Sequence, residues 1–299
     1  MEHLVLGLVL LAGALAIGNP LNLKAVEKKV LDMAPHSFDD QYQDCSPKME
    51  EELGELNCTE FANNRVYATY WTKAADEWQK REGHVLKLPV MRMEHAVALM
   101  AYTHNGSLYK TFNTAVREAG SSRKEYLEKF HFKTLHFLLT QALRILWEAQ
   151  PPQCYQVYRG VQEIRFTARR LDLVRFGQFA STSFRKEKAK EFGNDTFFSV
   201  NTCYGVPIRH FSFYPNENEV LIPPYETFIV TNITYHGKRS HIQLYSTGTC
   251  SKYNCEWVKE KQCQDQPCDF SAGRTIVGDP PLLWGLLLAA TALAATGGP

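Results

Sequence analysis

The chain divides near Pro151-Pro152 into two halves whose apolar residues recur with different periods, and this constrains the fold most. Upstream, Leu135, Leu138, Leu139, Ala142, Leu143 and Leu146 recur at three- and four-residue intervals, which lines them along one face of a helix. Ala96 to Tyr102 and Leu108 to Ala119 also read as helices, separated by the turn-forming His104-Asn105-Gly106. The paired prolines stop the pattern, because the residue before a proline is pushed out of the helical region. Downstream come short β-prone runs: Tyr155 to Tyr158, Phe176 to Thr182, Thr196 to Val200, His210 to Phe213, Glu219 to Ile222, Thr227 to Tyr235 and His241 to Ser246. A helical part up to about residue 150 and a β-rich part over 151–250 predict an α+β domain with one shared core.

Both ends read as addresses that do not belong to the fold. Leu4 to Ile17 is an apolar run followed by Asn19-Pro20, and Ala14-Leu15-Ala16 is a small-x-small cleavage pattern, so residues 1–18 are expected to be a signal peptide. No Lys or Arg precedes the run. Leu282 to Ala295 is a second apolar run, preceded by the small residues Ser271-Ala272-Gly273 and a spacer from Arg274 to Pro281. That pattern predicts a glycolipid-anchor signal over 271–299, leaving one domain over 19–270. The expected location is the cell surface, with a secreted or granule-stored form as the alternative.

Eight cysteines lie between these ends, with those at 250, 255, 263 and 268 forming a Cys-rich extension. An even count behind a signal peptide implies disulfides, and no accompanying His spacing suggests zinc. Sequons at Asn57, Asn105, Asn194 and Asn232 are candidate glycosylation sites in such a compartment. The net charge of +1 gives no electrostatic basis for capturing nucleic acid.

Three segments of the β half carry unusual residues. Val157-Tyr158-Arg159-Gly160 ends an apolar strand with a cation, Ser181-Thr182-Ser183 is a hydroxyl cluster, and Glu217-Asn218-Glu219 sets two carboxylates two residues apart. If extended geometry reaches back to Glu217, both carboxylates project the same way, and they need a cation to meet them.

In this order, and with Ser37-Phe38-Asp39-Asp40-Gln41-Tyr42, Phe130 to Leu139, Tyr158-Arg159-Gly160-Val161, Phe197-Phe198 and Glu219 to Pro224, the chain resembles the vertebrate arginine-specific ecto-mono-ADP-ribosyltransferases of the Arg-Ser-Glu class. The resemblance covers nearly all of the expected mature chain. It implies a helical N-terminal part packed on a split, mostly antiparallel β-sandwich that binds NAD as a substrate, without a metal. Arg159 is implied to contact the NAD phosphates, Ser181 to orient the catalytic Glu219, and Glu217 to confer arginine specificity. Tyr102, Gln178 and Ser212 fall where further NAD contacts are expected. Disulfides Cys45–Cys255 and Cys154–Cys203 are implied as well; a local Cys263–Cys268 bridge would leave Cys58 with Cys250.

These residue types suit the chemistry. Breaking the nicotinamide–ribose bond develops positive charge on the sugar, which a preoriented carboxylate stabilises. A guanidinium is protonated near neutral pH and nucleophilic only if a second carboxylate orients it and takes a proton. Transfer of ADP-ribose to protein arginine is therefore the expected activity. NAD hydrolysis, or an inactive surface glycoprotein on the same fold, is the alternative.

Overall fold

The structure is a computed structural model that describes residues 26–84 and 88–265. Strand β1 (Glu27–Val30) precedes helices α1 (Ser46–Asn63), α2 (Arg65–Arg81), α3 (Met93–Thr103), α4 (Leu108–Ala119), α5 (Arg123–Lys129) and α6 (Lys133–Glu148). Then follow β2 (Tyr155–Val161), β3 (Ile164–Thr167), β4 (Leu173–Val174), β5 (Ala180–Ser183), α7 (Lys186–Glu191), β6 (Thr196–Thr202), β7 (Val206–Pro207), β8 (Glu219–Ile222), β9 (Glu226–His236), β10 (Arg239–Thr249) and α8 (Glu256–Asp265).

Eight strands form a sheet in the order β4-β9-β10-β6-β2-β5-β8-β7, antiparallel except where β10 meets β6. The sheet is split in the middle. Tyr155–Val161 pairs with Thr196–Thr202 along its whole length, whereas β2 meets β5 only where Tyr158 lies opposite Ser183. A second, two-stranded sheet joins β1 to β3 in parallel. The α+β architecture with a mostly antiparallel, split sheet is thus present.

Strand alternation distributes β8 between two apolar clusters. Val220 and Ile222 pack with Val157, Ala180, Phe198 and Phe228 on one face of the sheet. Leu221 points the other way and joins Phe179, Val206 and Ile208 in the cluster built by the helices. The helical and β-rich halves therefore share a core across the Pro151-Pro152 junction.

Two of the sequence blocks that carry the family resemblance hold this core together. In the Ser37–Tyr42 segment, Asp39 pairs with Arg175, and both side chains are almost fully excluded from solvent. The Arg175 guanidinium also donates to the carbonyls of Met33 (2.6 Å), Cys250 (2.9 Å) and Ala34 (3.2 Å), while Asp39 Oδ1 accepts from the backbone N–H of Lys252 (2.9 Å). In the Phe130–Leu139 block, α6 has no cap of its own. Its first N–H groups, those of Lys133 and Thr134, are taken by the buried Glu60 carboxylate of α1 at 2.6 and 2.9 Å.

The structure departs from the sequence reading in four places. The strand expected over 176–182 begins only at Ala180, because Gly177 turns with φ +62°; a Cβ there would lie 2.2 Å from that of Ala34. The run 210–213 is a 3-10 turn over Arg209–Phe211, since Phe211 stacks on Trp78 (5.7 Å between ring centroids) instead of pairing in a sheet. Glu217 is not on a strand either; it ends a 3-10 turn over Pro215–Glu217. Finally, Cys45–Cys255 and Cys154–Cys203 are disulfides, but Cys58 and Cys250, which a local Cys263–Cys268 bridge would have left to each other, are both exposed free thiols. The Cys263–Cys268 expectation lies outside the described residues because Cys268 does, as do both terminal signals.

Of the four sequons, Asn105 lies in the α3–α4 turn, Asn194 in the bend before β6, and Asn232 on an exposed stretch of β9. Asn57 differs: it sits inside α1, and its Oδ1 accepts from the Tyr67 hydroxyl at 3.0 Å. Among the described residues, no helix is long and apolar enough to cross a membrane.

Candidate functional site

Glu219 opens β8 and lies directly across from Ser183 of β5. It has the parity of Leu221, so its side chain lies on the helix-facing side of the sheet. Only 7% of it is exposed. Burial pushes its carboxyl up from 4.5 to about 7; hydrogen bonds from Ser181 and Ser212 and the nearby Arg159 charge work the other way, while Glu217 adds to the rise. Ser212 is itself fully buried, and its Oγ accepts the N–H of Tyr214 at 3.0 Å. The 3-10 turn that displaced the expected strand is what delivers Ser212: Arg81 donates to its carbonyl at 2.9 Å, and the next residue, Phe213, donates its N–H to Thr103 Oγ1 at 3.2 Å.

Glu217 reaches the same region by another route. Pro215–Glu217 is one 3-10 turn, and Asn218 then adopts a left-handed conformation (φ 46°, ψ 52°) before the strand begins. Asn tolerates this conformation better than other residues with a Cβ. The two carboxylates are thus brought near each other by a tight turn rather than by strand alternation. Ser183 Oγ clamps that turn by donating to the Glu217 carbonyl at 2.6 Å. The Glu217 carboxylate remains about a quarter exposed, with Lys188 Nζ of α7 3.7 Å away. Burial raises its pKa, and Lys188 offsets the rise.

Arg159 reaches across the split in the sheet and donates to the Ser181 carbonyl at 2.6 Å. Gly160 follows it because α7 packs directly on this point: a Cβ there would lie 2.2 Å from the Ala189 carbonyl oxygen. Tyr102 is 2% exposed and lies behind the site. Its hydroxyl donates to the Phe179 carbonyl (2.8 Å), accepts from Asn113 Nδ2 (3.0 Å) and is bonded to the Ser181 side chain. Gln178 is half-buried at the rim, where its Oε1 accepts from Arg117 of α4.

The structure therefore gathers Arg159, Ser181, Ser212 and Glu219 with Tyr102 at their back, sets Glu217 at the exposed mouth, and leaves Gln178 at the edge. Sequence reasoning missed Arg117 and Lys188. The signal for Lys188 was the alternating Lys-Glu-Lys-Ala-Lys-Glu that follows the Ser-Thr-Ser motif by two residues. Arg117 and Arg159 both lie against the segment 178–181, and their hydrogen bonds go to an amide, a hydroxyl and a carbonyl, not to a carboxylate. Two guanidinium groups whose hydrogen bonds leave them clear of any carboxylate suit a diphosphate, whose oxygens their planar forks can bind in pairs.

A sequence profile of the family described as NAD:arginine ADP-ribosyltransferase matches residues 31–252. The chain is 54% identical over 275 residues to the erythroblast NAD(P)(+)–arginine ADP-ribosyltransferase of Gallus gallus, covering 91% of each. It is 48% identical to the GPI-linked NAD(P)(+)–arginine ADP-ribosyltransferase 1 of Homo sapiens, covering 86% of this chain and 83% of that one. Among solved structures, a variant of the eukaryotic mono-ADP-ribosyltransferase ART2.2 in complex with NAD superposes with a TM-score of 0.66 at 37% identity, covering 76% of this chain and 98% of that chain.

Proposed function

The chain belongs to the NAD:arginine ADP-ribosyltransferase family, and on that premise we propose that it moves ADP-ribose from NAD to arginine side chains of extracellular or lumenal proteins, releasing nicotinamide. The observation that carries this reading is a buried carboxylate, Glu219, held by two serine hydroxyls, with a second carboxylate one tight turn away at the mouth of the site.

The residues divide the work by their surroundings. When the bond between the ribose carbon and the nicotinamide nitrogen breaks, the electron pair goes to nitrogen and positive charge develops on the sugar. Glu219, bonded to the nicotinamide-side ribose, stabilises that charge more in the transition state than in the ground state. Its elevated pKa leaves it part-protonated near neutrality in the free protein, and a cationic nicotinamide ring beside it favours the ionised form. Ser181 and Ser212 orient it. Arg159, assisted by Arg117, binds the diphosphate, and Gln178 contributes at the rim. Tyr102 acts from behind as a positioning residue through Phe179 and Ser181. Glu217 orients the acceptor guanidinium and takes its proton as the new nitrogen–carbon bond forms.

The catalytic domain in this proposal spans 19–270, follows a signal peptide and is tethered by a glycolipid after loss of 271–299. Two disulfides and the GPI-linked human relative support an extracellular location. Release from intact cells by a glycolipid-specific phospholipase separates the tethered form from a secreted one.

The test is to incubate the purified ectodomain with labelled NAD and free arginine. Glu217→Gln is expected to lose arginine transfer while retaining NAD hydrolysis. Unchanged transfer in that variant would show that Glu217 neither orients the acceptor nor takes its proton.

A further inference from the structure

On the reading that Glu217 receives the acceptor guanidinium, that group enters ground already held by a cation. Lys188 Nζ lies 3.7 Å from Glu217 Oε1 and 2.7 Å from Glu191 Oε2, so one ammonium serves two carboxylates. Its helix is firmly seated, because Ala189 is buried against Gly160 with no room for a Cβ between them. The helix therefore stays beside Glu217, and its Lys188 ammonium is drawn there by the two carboxylates. Around it, residues 185–191 (Arg-Lys-Glu-Lys-Ala-Lys-Glu) carry four cations against two carboxylates. Lys186 and Lys190 are exposed, as is Arg185.

An arginine approaching Glu217 is attracted by one carboxylate and repelled by this basic helix. A carboxylate next to that arginine in the acceptor would meet Lys188 and its neighbours and offset the repulsion. A basic neighbour would add to it. We infer that the enzyme selects acceptor arginines flanked by acidic residues, and that Lys188 is the specificity-determining residue for that choice. The same geometry assigns Lys188 no part in cleaving NAD.

The experiment uses two synthetic peptides that are identical except for the residues on either side of a single arginine, Glu in one and Lys in the other. Transfer is measured as kcat/KM for each peptide with the wild type, Lys188→Gln and Lys188→Glu, after thermal unfolding has shown that all three are folded. The ratio is taken within one enzyme, so the fraction of active protein cancels. The wild type is expected to favour the acidic peptide by about five- to twentyfold at low salt, a factor of the size that one or two partly screened charges produce. The preference shrinks in Lys188→Gln and flattens or reverses in Lys188→Glu. It also fades at about 1 M salt, where the screening length is about 3 Å. Equal ratios in all three enzymes, or a wild-type preference for the basic peptide, overturn the role of Lys188. If the wild type consumes NAD but modifies neither peptide, it is the arginine-transfer reading itself that fails.

Discussion

Replacing Glu219 by Gln is expected to stabilise the protein above neutral pH while greatly slowing its reaction. Glu219 carries a carboxyl raised by burial from 4.5 to about 7. The folded state therefore holds this proton more tightly than the unfolded chain does. Stability from this source is fully present below pH 4.5 and is lost as pH rises through 7. A gap of about 2.5 pH units corresponds to a loss of about 3 kcal/mol as an upper value. Gln cannot ionise and loses nothing over that range. Its amide can still be satisfied, because the hydroxyls of Ser181 and Ser212 rotate to accept as readily as they donate. Thermal unfolding of Glu219→Gln and wild type, run in parallel at pH 8 and pH 4.5 with disulfides intact, is the assay. At pH 8 the variant's Tm should rise, by up to about 6–12 °C for a domain of this size. At pH 4.5 the two proteins should unfold together. NAD cleavage should fall on the order of a hundred- to a thousandfold. A Tm difference that is the same at both pH values, or a less stable variant at pH 8, would refute the claim that ionising this buried group opposes folding.

Other substitutions test the surroundings of the site and the core beneath it. Ser181→Ala removes a hydrogen bond that favours the ionised form of Glu219, so the rising limb of kcat/KM for NAD, near pH 7 in the wild type, should move to higher pH; an unmoved limb would count against that bond. Asp39→Ala strands the buried Arg175 guanidinium and should cost about 3–5 kcal/mol in urea unfolding; a cost below about 1 kcal/mol would mean that solvent reaches the pair. Replacing both Cys45 and Cys255 by Ala opens a loop spanning 210 residues and should cost about 5 kcal/mol on loop entropy, measurable as a lower denaturation midpoint.

Local periodicity carries much of the helical half. The run Leu108 to Ala119 has the bounds of α4, and the stripe from Leu135 to Leu146 lies within α6, because a recurring apolar face reports burial without knowledge of the partner. The same logic fails at His210 to Phe213. Its apolar and polar residues alternate as in a strand, but Trp78 and Thr103 capture Phe211 and Phe213 from helices far away in sequence. Gly177 likewise shortens β5, through a close approach to Ala34 that no neighbouring residue announces.

The sequence by itself determined the order Arg159, Ser181, Glu217, Glu219 and the division into helical and β-rich halves, since both are properties of residue type and spacing along the chain. Tertiary structure alone decided that Asn218 turns left-handed so that the two carboxylates meet, that Ser212 bonds to Glu219, and that Lys188 stands at the mouth of the site. Those facts depend on which surfaces exclude water and which charges face one another across the split sheet, and no period within one strand or helix encodes either.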